Sequence, residues 1–277
     1  MPYSAEISRG TPSCFLFLID QSGSMQDQVN GKSKAQAVAD AINRLLQNLV
    51  IKCAKSEGVR DYYDVGVIGY GAKVLPAFSG ELAGRGLVPI SAIGNSPARI
   101  EQRTKKVDDG AGGLVDQNIK FPIWFDPIAN GGTPMCLALG HAKDILSNWI
   151  TLNANSFPPV VIHITDGEST DGNPTDAMSN LKSLATNDGN VLLFNLHISS
   201  NPNAHPVTFP NDSAQLPDEY SRTLFAGASP LTSFMLSVAQ QDHEMNLSEG
   251  ARGFVLNADI TLIIQALDIG TRPSNLR

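Results

Sequence analysis

Cysteine is scarce in this chain of 277 residues: Cys14, Cys53 and Cys136 stand far apart, with no CxxC pair among them. An odd count excludes a fully paired disulfide framework within one chain. The expectation is three reduced thiols in a cytoplasmic protein, with Cys14 and Cys136 in apolar runs that read as core. Long apolar runs are missing too. None approaches the roughly 18–20 residues that span a bilayer, and MPYSAEISRGTPS lacks the apolar stretch of a signal peptide, so membrane insertion and secretion are disfavoured. Basic residues are the minority, 20 against 27 acidic for a net charge of −7. A surface of that sign repels phosphate backbones and disfavours nucleic acid as a partner. The phosphate-cradling patterns GxxxxGK[ST] and GxGxxG and the GxSxG nucleophile elbow are all absent. What remains is a chain 42% apolar and 17% charged, long enough to bury a sizeable core.

The apolar pattern alternates strand with helix. Cys14 to Ile19 (CFLFLI) is an unbroken run ending at Asp20, the pattern of a strand buried on both faces of a parallel sheet. Lys34 to Val50 sets Ala35, Val38, Ala39, Ile42, Leu45, Leu46 and Leu49 on one helical stripe. Asp64 to Tyr70 reads as a strand, and Lys73 to Phe78 as its antiparallel edge partner, where Pro76 is tolerated. Pro134 to Ile150 is helical, Pro159 to Thr165 a strand, Asp176 to Thr186 a helix and Asn190 to His197 a strand. Ser233 to Gln241, Arg252 to Leu256 and Ile260 to Ile269 add helix, strand and helix. This alternation predicts an α/β fold, a doubly wound, mostly parallel sheet flanked by helices with one antiparallel edge strand.

We expect a single domain over residues 11–270, with tails at 1–10 and 271–277 and insertions at about 79–130 and 199–230. The first insertion reads as an elaborated connection, weakly helical around Pro97 to Lys106 and strand-like at 121–125; the second reads as a long polar loop.

Three loops at the carboxyl ends of the strands carry the chemistry. Asp20-Gln21-Ser22-Gly23-Ser24 follows the first strand, Gly131-Gly132-Thr133-Pro134 opens a helix, and Asp166-Gly167 follows PVVIHIT. Together they offer two carboxylates and three hydroxyls. The two-residue steps from Asp20 to Ser22 to Ser24, with Gly23 permitting a sharp bend, aim several oxygens at one point. An all-oxygen set with few charges suits Mg²⁺, which takes about six oxygens and keeps several waters; zinc and copper are disfavoured.

On these residues the chain resembles the von Willebrand factor A family and looks like an intracellular bacterial member. That family's metal-ion-dependent adhesion site has the signature Asp-x-Ser-x-Ser, then Thr, then Asp, matched here by Asp20, Ser22, Ser24, Thr133 and Asp166. The resemblance implies a Mg²⁺ site, with Mn²⁺ or Ca²⁺ as alternatives, in which Ser22, Ser24 and Thr133 bind the ion and Asp20 and Asp166 hold its waters. It also implies a protein partner that offers an Asp or Glu to the metal, and an adaptor role beside an AAA+ ATPase or in a kinase/phosphatase signalling complex. In that family the final helix can shift along the sheet. Here Ile260, Ile263, Ile264 and Leu267 form an apolar stripe with no charged lock that would allow sliding, but with no partner helix or hinge in the sequence the preferred reading is a fixed core helix.

Other residues read more plainly. His163 fits a hydrogen-bonded core histidine, and Asp27, Glu168 and Asp171 fit solvated loop positions. Arg99, Arg103, Lys105 and Lys106 form a basic cluster read as a solvated face. No histidine has a nucleophile partner readable from sequence, so the expectation is a non-enzymatic interaction module. Two alternatives are carried: a metal-dependent phosphohydrolase using Asp20, and a structural subunit whose metal holds the loops together.

Overall fold

Strand β1 (Ser13–Asp20) is buried at every position, and its side chains divide by the two-residue period of a strand. Phe15, Phe17 and Ile19 enter one core and Cys14, Leu16 and Leu18 the other. The computed structural model describes residues 2–29, 31–108, 113–199 and 205–272. Parts of both expected insertions (109–112 and 200–204), most of the tail at 271–277 and the Lys105 side chain of the basic cluster lie outside the described residues.

After β1 come helix α1 (Lys34–Cys53), strands β2 (Tyr63–Tyr70) and β3 (Val74–Pro76), and the hairpin β4 (Arg99–Asp108) and β5 (Leu114–Ile123). Helix α2 (Met135–Leu152), strand β6 (Val160–Thr165), helix α3 (Thr175–Lys182) and strand β7 (Leu192–Ile198) follow. Helices α4 (Glu219–Gly227) and α5 (Ser233–His243), strand β8 (Phe254–Ala258) and helix α6 (Ile260–Thr271) close the described chain. The main sheet runs β8-β7-β6-β1-β2-β3, parallel from β8 to β2. This is the doubly wound α/β architecture the alternation predicts. Three antiparallel edge segments replace the one expected: β3 and Val88–Pro89 on β2, and Val207–Thr208 on β8.

Val38, Ile42 and Leu46 of α1 and Ile263 and Leu267 of α6 cover one face. Met135, Leu139 and Leu146 of α2, Leu181 of α3 and Leu224 of α4 cover the other. Each fully buried aliphatic or aromatic side chain contributes about 1.5–3 kcal/mol, so both faces of β1 and β6 add strongly to the stability of the fold.

Several local expectations are corrected. Most of residues 97–106 lies in β4 (Arg99–Asp108) rather than in a helix, because ten residues of β5 pair with it from Leu114↔Asp108 to Ile123↔Arg99 and outweigh local propensity. The polar stretch 199–230 contains α4, capped by Asp218, whose side chain accepts from Ser221 N at 2.7 Å. Cys53 is buried, whereas Cys136 is only partly so. In α6, Ile264 is 38% exposed and Ala266 completes the buried stripe instead. That helix also has a charged lock: Asp268 accepts from His243 Nε2 at 3.0 Å and pairs with Arg272 and Lys52. The basic cluster is not a free cationic face. Arg99 pairs with Glu101 and Asp126, and Arg103 pairs with Asp40 and Glu101 and lies 3.9 Å over the Phe121 ring.

Candidate metal centre

Parallel strands β1 and β6 end side by side, so Asp20 and Asp166 leave the same edge of the sheet. Between them the chain turns so tightly that Ser22 N donates back to Asp20 Oδ1 at 2.8 Å. Thr165 Oγ1 donates to Asp20 Oδ2, also at 2.8 Å. Ser22 Oγ and Ser24 Oγ lie 3.0 Å apart, and Ser24 Oγ donates to Asp166 Oδ1 at 2.7 Å. Asp20 is 1% exposed; burial raises its carboxyl above the ordinary range, and the Asp166 charge adds to this against the bonds from Ser22 and Thr165.

Thr133 joins from the loop before α2. Gly23 N donates to Gly131 O at 3.0 Å, and Thr133 N donates to Thr170 Oγ1 at 3.0 Å while Thr170 N returns to Thr133 O at 2.9 Å. Gly131 has φ +90°, and a Cβ there would sit 2.4 Å from Ala72 N, so this approach of loops admits only glycine. The structure thus brings Asp20, Ser22, Ser24 and Asp166 into direct contact and sets Thr133 in the adjoining, hydrogen-bonded loop.

Four nearby residues were not among the sequence candidates. Lys34, the first residue of α1, has a side chain only 5% exposed; its Nζ donates to Asp166 Oδ2 at 2.8 Å and to Asp27 Oδ2 at 3.2 Å. Asp27 is therefore an ion-pair partner as well as a solvent-facing loop residue. Thr165 braces Asp20, and the Tyr220 hydroxyl of α4 donates to Gly167 O. His197 lies against Asp166 and edge-on to Tyr220, with burial the main cause of its lowered pKa. Only one signal could have marked Lys34: a charge beginning an otherwise apolar stripe. Asp171 is likewise structural. Its Oδ1 and Oδ2 accept from Cys136 N and Leu137 N at 3.0 and 2.9 Å, capping α2, whose preceding residue Pro134 gives no side-chain cap.

Beneath the site lies a closed polar chain. Tyr70 Oη meets His163 Nε2 at 2.6 Å, His163 Nδ1 meets Asn195 Oδ1 at 2.9 Å, and Asn195 Nδ2 donates to Leu224 O at 2.7 Å. Burial pushes the His163 imidazole down to about 4, against the Asn195 bond, so it is neutral and serves as the core histidine expected.

The donor set fits a small divalent cation. Hydroxyl and carboxylate oxygens are the hard donors such an ion takes, and Ser22 Oγ and Ser24 Oγ, hydrogen-bonded to each other at 3.0 Å, are close enough to share one. Among the described residues no group of three or more His, Cys, Asp or Glu could hold a metal, so hydroxyls and water would have to supply most of the coordination.

No protein-family model and no curated protein matches the chain. Among solved structures, it is similar to the pilus adhesin SpaC from Lactobacillus rhamnosus GG at 14% identity and TM-score 0.51, covering 97% of this chain and 32% of that one. It is also similar to the vWF domain of the type V pili tip protein Mfa5 from Porphyromonas gingivalis (10% identity, TM-score 0.41, 93% of each chain). A third is a von Willebrand factor type A protein from Catenulispora acidiphila (17% identity, TM-score 0.41, 68% of this chain). The chain spans only 34% of the length of that protein. At these identities the likeness is one of fold. No described helix is long and apolar enough to cross a membrane.

Proposed function

We propose that this chain is a protein-interaction module that holds Mg²⁺ between Ser22, Ser24 and Thr133, with Asp20 and Asp166 steadying the ion's waters. One observation carries the reading: all four oxygens of the two carboxylates already accept protein hydrogen bonds, from Ser22 N, Thr165, Ser24 and Lys34. Each oxygen keeps a second lone pair, but these bonds fix both carboxylates beside the loop, and the hydroxyls that flank them are the ion's natural direct ligands. Keeping full negative charges at one remove leaves the cation electrophilic, so when bound it supplies a Lewis-acid seat for a carboxylate oxygen from outside. The partner we propose is a protein that presents an Asp or Glu to that seat. We place the module in the cytoplasm as an adaptor, in keeping with its three free cysteines.

The same hydrogen bonds argue against the phosphohydrolase alternative. Asp20 is 1% exposed with both oxygens engaged, which leaves it unable to approach a phosphorus atom as a nucleophile. The test is affinity capture in Mg²⁺ and in EDTA, using the wild-type chain and Thr133→Ala. A partner recovered in Mg²⁺ and lost in EDTA and in the variant is the expected result; equal recovery in EDTA would contradict metal-dependent capture.

A further inference from the structure

Among the described residues, Lys34 is the one cation the fold buries against the candidate site. A lysine at the first position of a twenty-residue helix is opposed by the positive end of the helix dipole, and burying its ammonium to 5% exposure adds a desolvation cost. The fold meets both costs with two carboxylates. One is Asp166, whose side chain is 0% exposed and whose other oxygen holds Ser24; the other is Asp27, 57% exposed and screened by water. The lysine is therefore bonded to a site residue rather than being a surface charge that happens to lie close.

Resting on the metal-site reading above, we propose that Lys34 is a positioning residue that sets the charge of the loaded site, making it selective for an anionic partner group. The arithmetic concerns the three buried charges. Asp20 and Asp166 sum to −2, and with a divalent cation alone the site would be formally neutral, its pull on an outside carboxylate coming from the ion's own electrophilicity with no net charge to add to it. Adding the Lys34 ammonium makes the loaded site +1. A carboxylate from outside then completes the neutralisation, whereas a neutral amide or hydroxyl does not. The same positive charge weakens the metal itself, because ammonium and metal compete for the charge of Asp166. Lys34 thus trades metal affinity for anion capture, and holds Asp166 in place when the ion is absent.

The experiment uses Mn²⁺ as the metal probe and acetate as the carboxylate probe on the full chain. Free Mn²⁺ is read by electron paramagnetic resonance, and acetate entry by the loss of water-proton relaxation at the bound ion. Lys34→Met should bind Mn²⁺ about tenfold more tightly than wild type, the order expected when a like charge close to a divalent ion is removed. Its loaded form should need several-fold more acetate to displace water. Lys34→Arg keeps the charge and should behave as wild type, and Lys34→Gln, which still donates to Asp166, should follow Lys34→Met even if the latter folds poorly. Unchanged or weaker Mn²⁺ binding in a folded neutral variant would overturn the role given to Lys34. Absence of Mn²⁺ binding in the wild type would instead refute the metal-site reading on which it rests.

Discussion

His163 is fully buried between Tyr70 and Asn195, where a charged imidazolium is costly. The unfolded chain takes up a proton near 6.5, the folded chain only near 4, so between these values proton uptake favours unfolding. Stability is fully present above pH 6.5 and is lost as pH falls toward 4, by up to about 3 kcal/mol from this residue. Asp20, shifted upward by burial, opposes part of the loss at the acid end of the window, because the folded state takes up its proton more readily than the unfolded one. Urea unfolding at pH 7 and pH 4.5 should therefore show a drop that shrinks markedly in His163→Gln; equal drops in both proteins would clear the histidine. At this scale the sequence was legible where the candidate residues are nearly consecutive. Asp20, Ser22 and Ser24 lie on one tight loop and Asp166 at the next strand end, and the fold brings them together as the pattern implies. Lys34, Thr165 and Tyr220 were not legible, since each reaches the site only through tertiary packing of elements distant in the chain.

Helix α2 shows how an element can depend on a residue from another loop. Asp171 takes both first-turn amides of Cys136 and Leu137. Burial pulls its carboxyl upward, but those bonds outweigh it and hold the group below the ordinary carboxylate range. Asp171→Ala should cost about 1 kcal/mol, the usual value of a helix N-cap, and lower the melting temperature by about 2 °C in thermal unfolding. An unchanged melting temperature would mean that water replaces the cap. Helix α6 carries the corresponding lesson for charge. Its lock on Asp268 joins Lys52 of α1, His243 of α5 and Arg272, the residue that follows the helix, and no periodicity in residues 260–269 could have announced that cluster. Asp268→Asn should loosen the end of α6, raising amide exchange over residues 263–271 while leaving β1 protected; uniform exchange in both proteins would show that the apolar stripe alone holds the helix. Strand β4 of the hairpin read as weakly helical for a related reason, whereas residues 121–123 of β5 fell in the stretch that read as strand. Each strand of the hairpin is ordinary as a single segment, and only the ten-residue pairing and the Asp40–Arg103 contact with α1 make it a strand pair.

At the scale of the molecule, the layers were the most legible feature, because unbroken apolar strands and striped helices have few other ways to bury their surfaces. Two cores on either side of one sheet leave the carboxyl edge free to carry loops whose polar groups are satisfied by one another. The central claim is that this edge is a hydroxyl-built seat for a divalent cation that binds the folded state. Such an ion at a hundredfold excess over its dissociation constant adds about 2.7 kcal/mol, or roughly 5 °C in a chain of this size. The most direct test is the melting temperature of the wild-type chain and of the double variant Ser22→Ala, Ser24→Ala, each with Mg²⁺ and with EDTA. The account predicts a Mg²⁺-dependent rise of that order in the wild type and none in the variant, whereas an equal rise in both would place the ion elsewhere and contradict it.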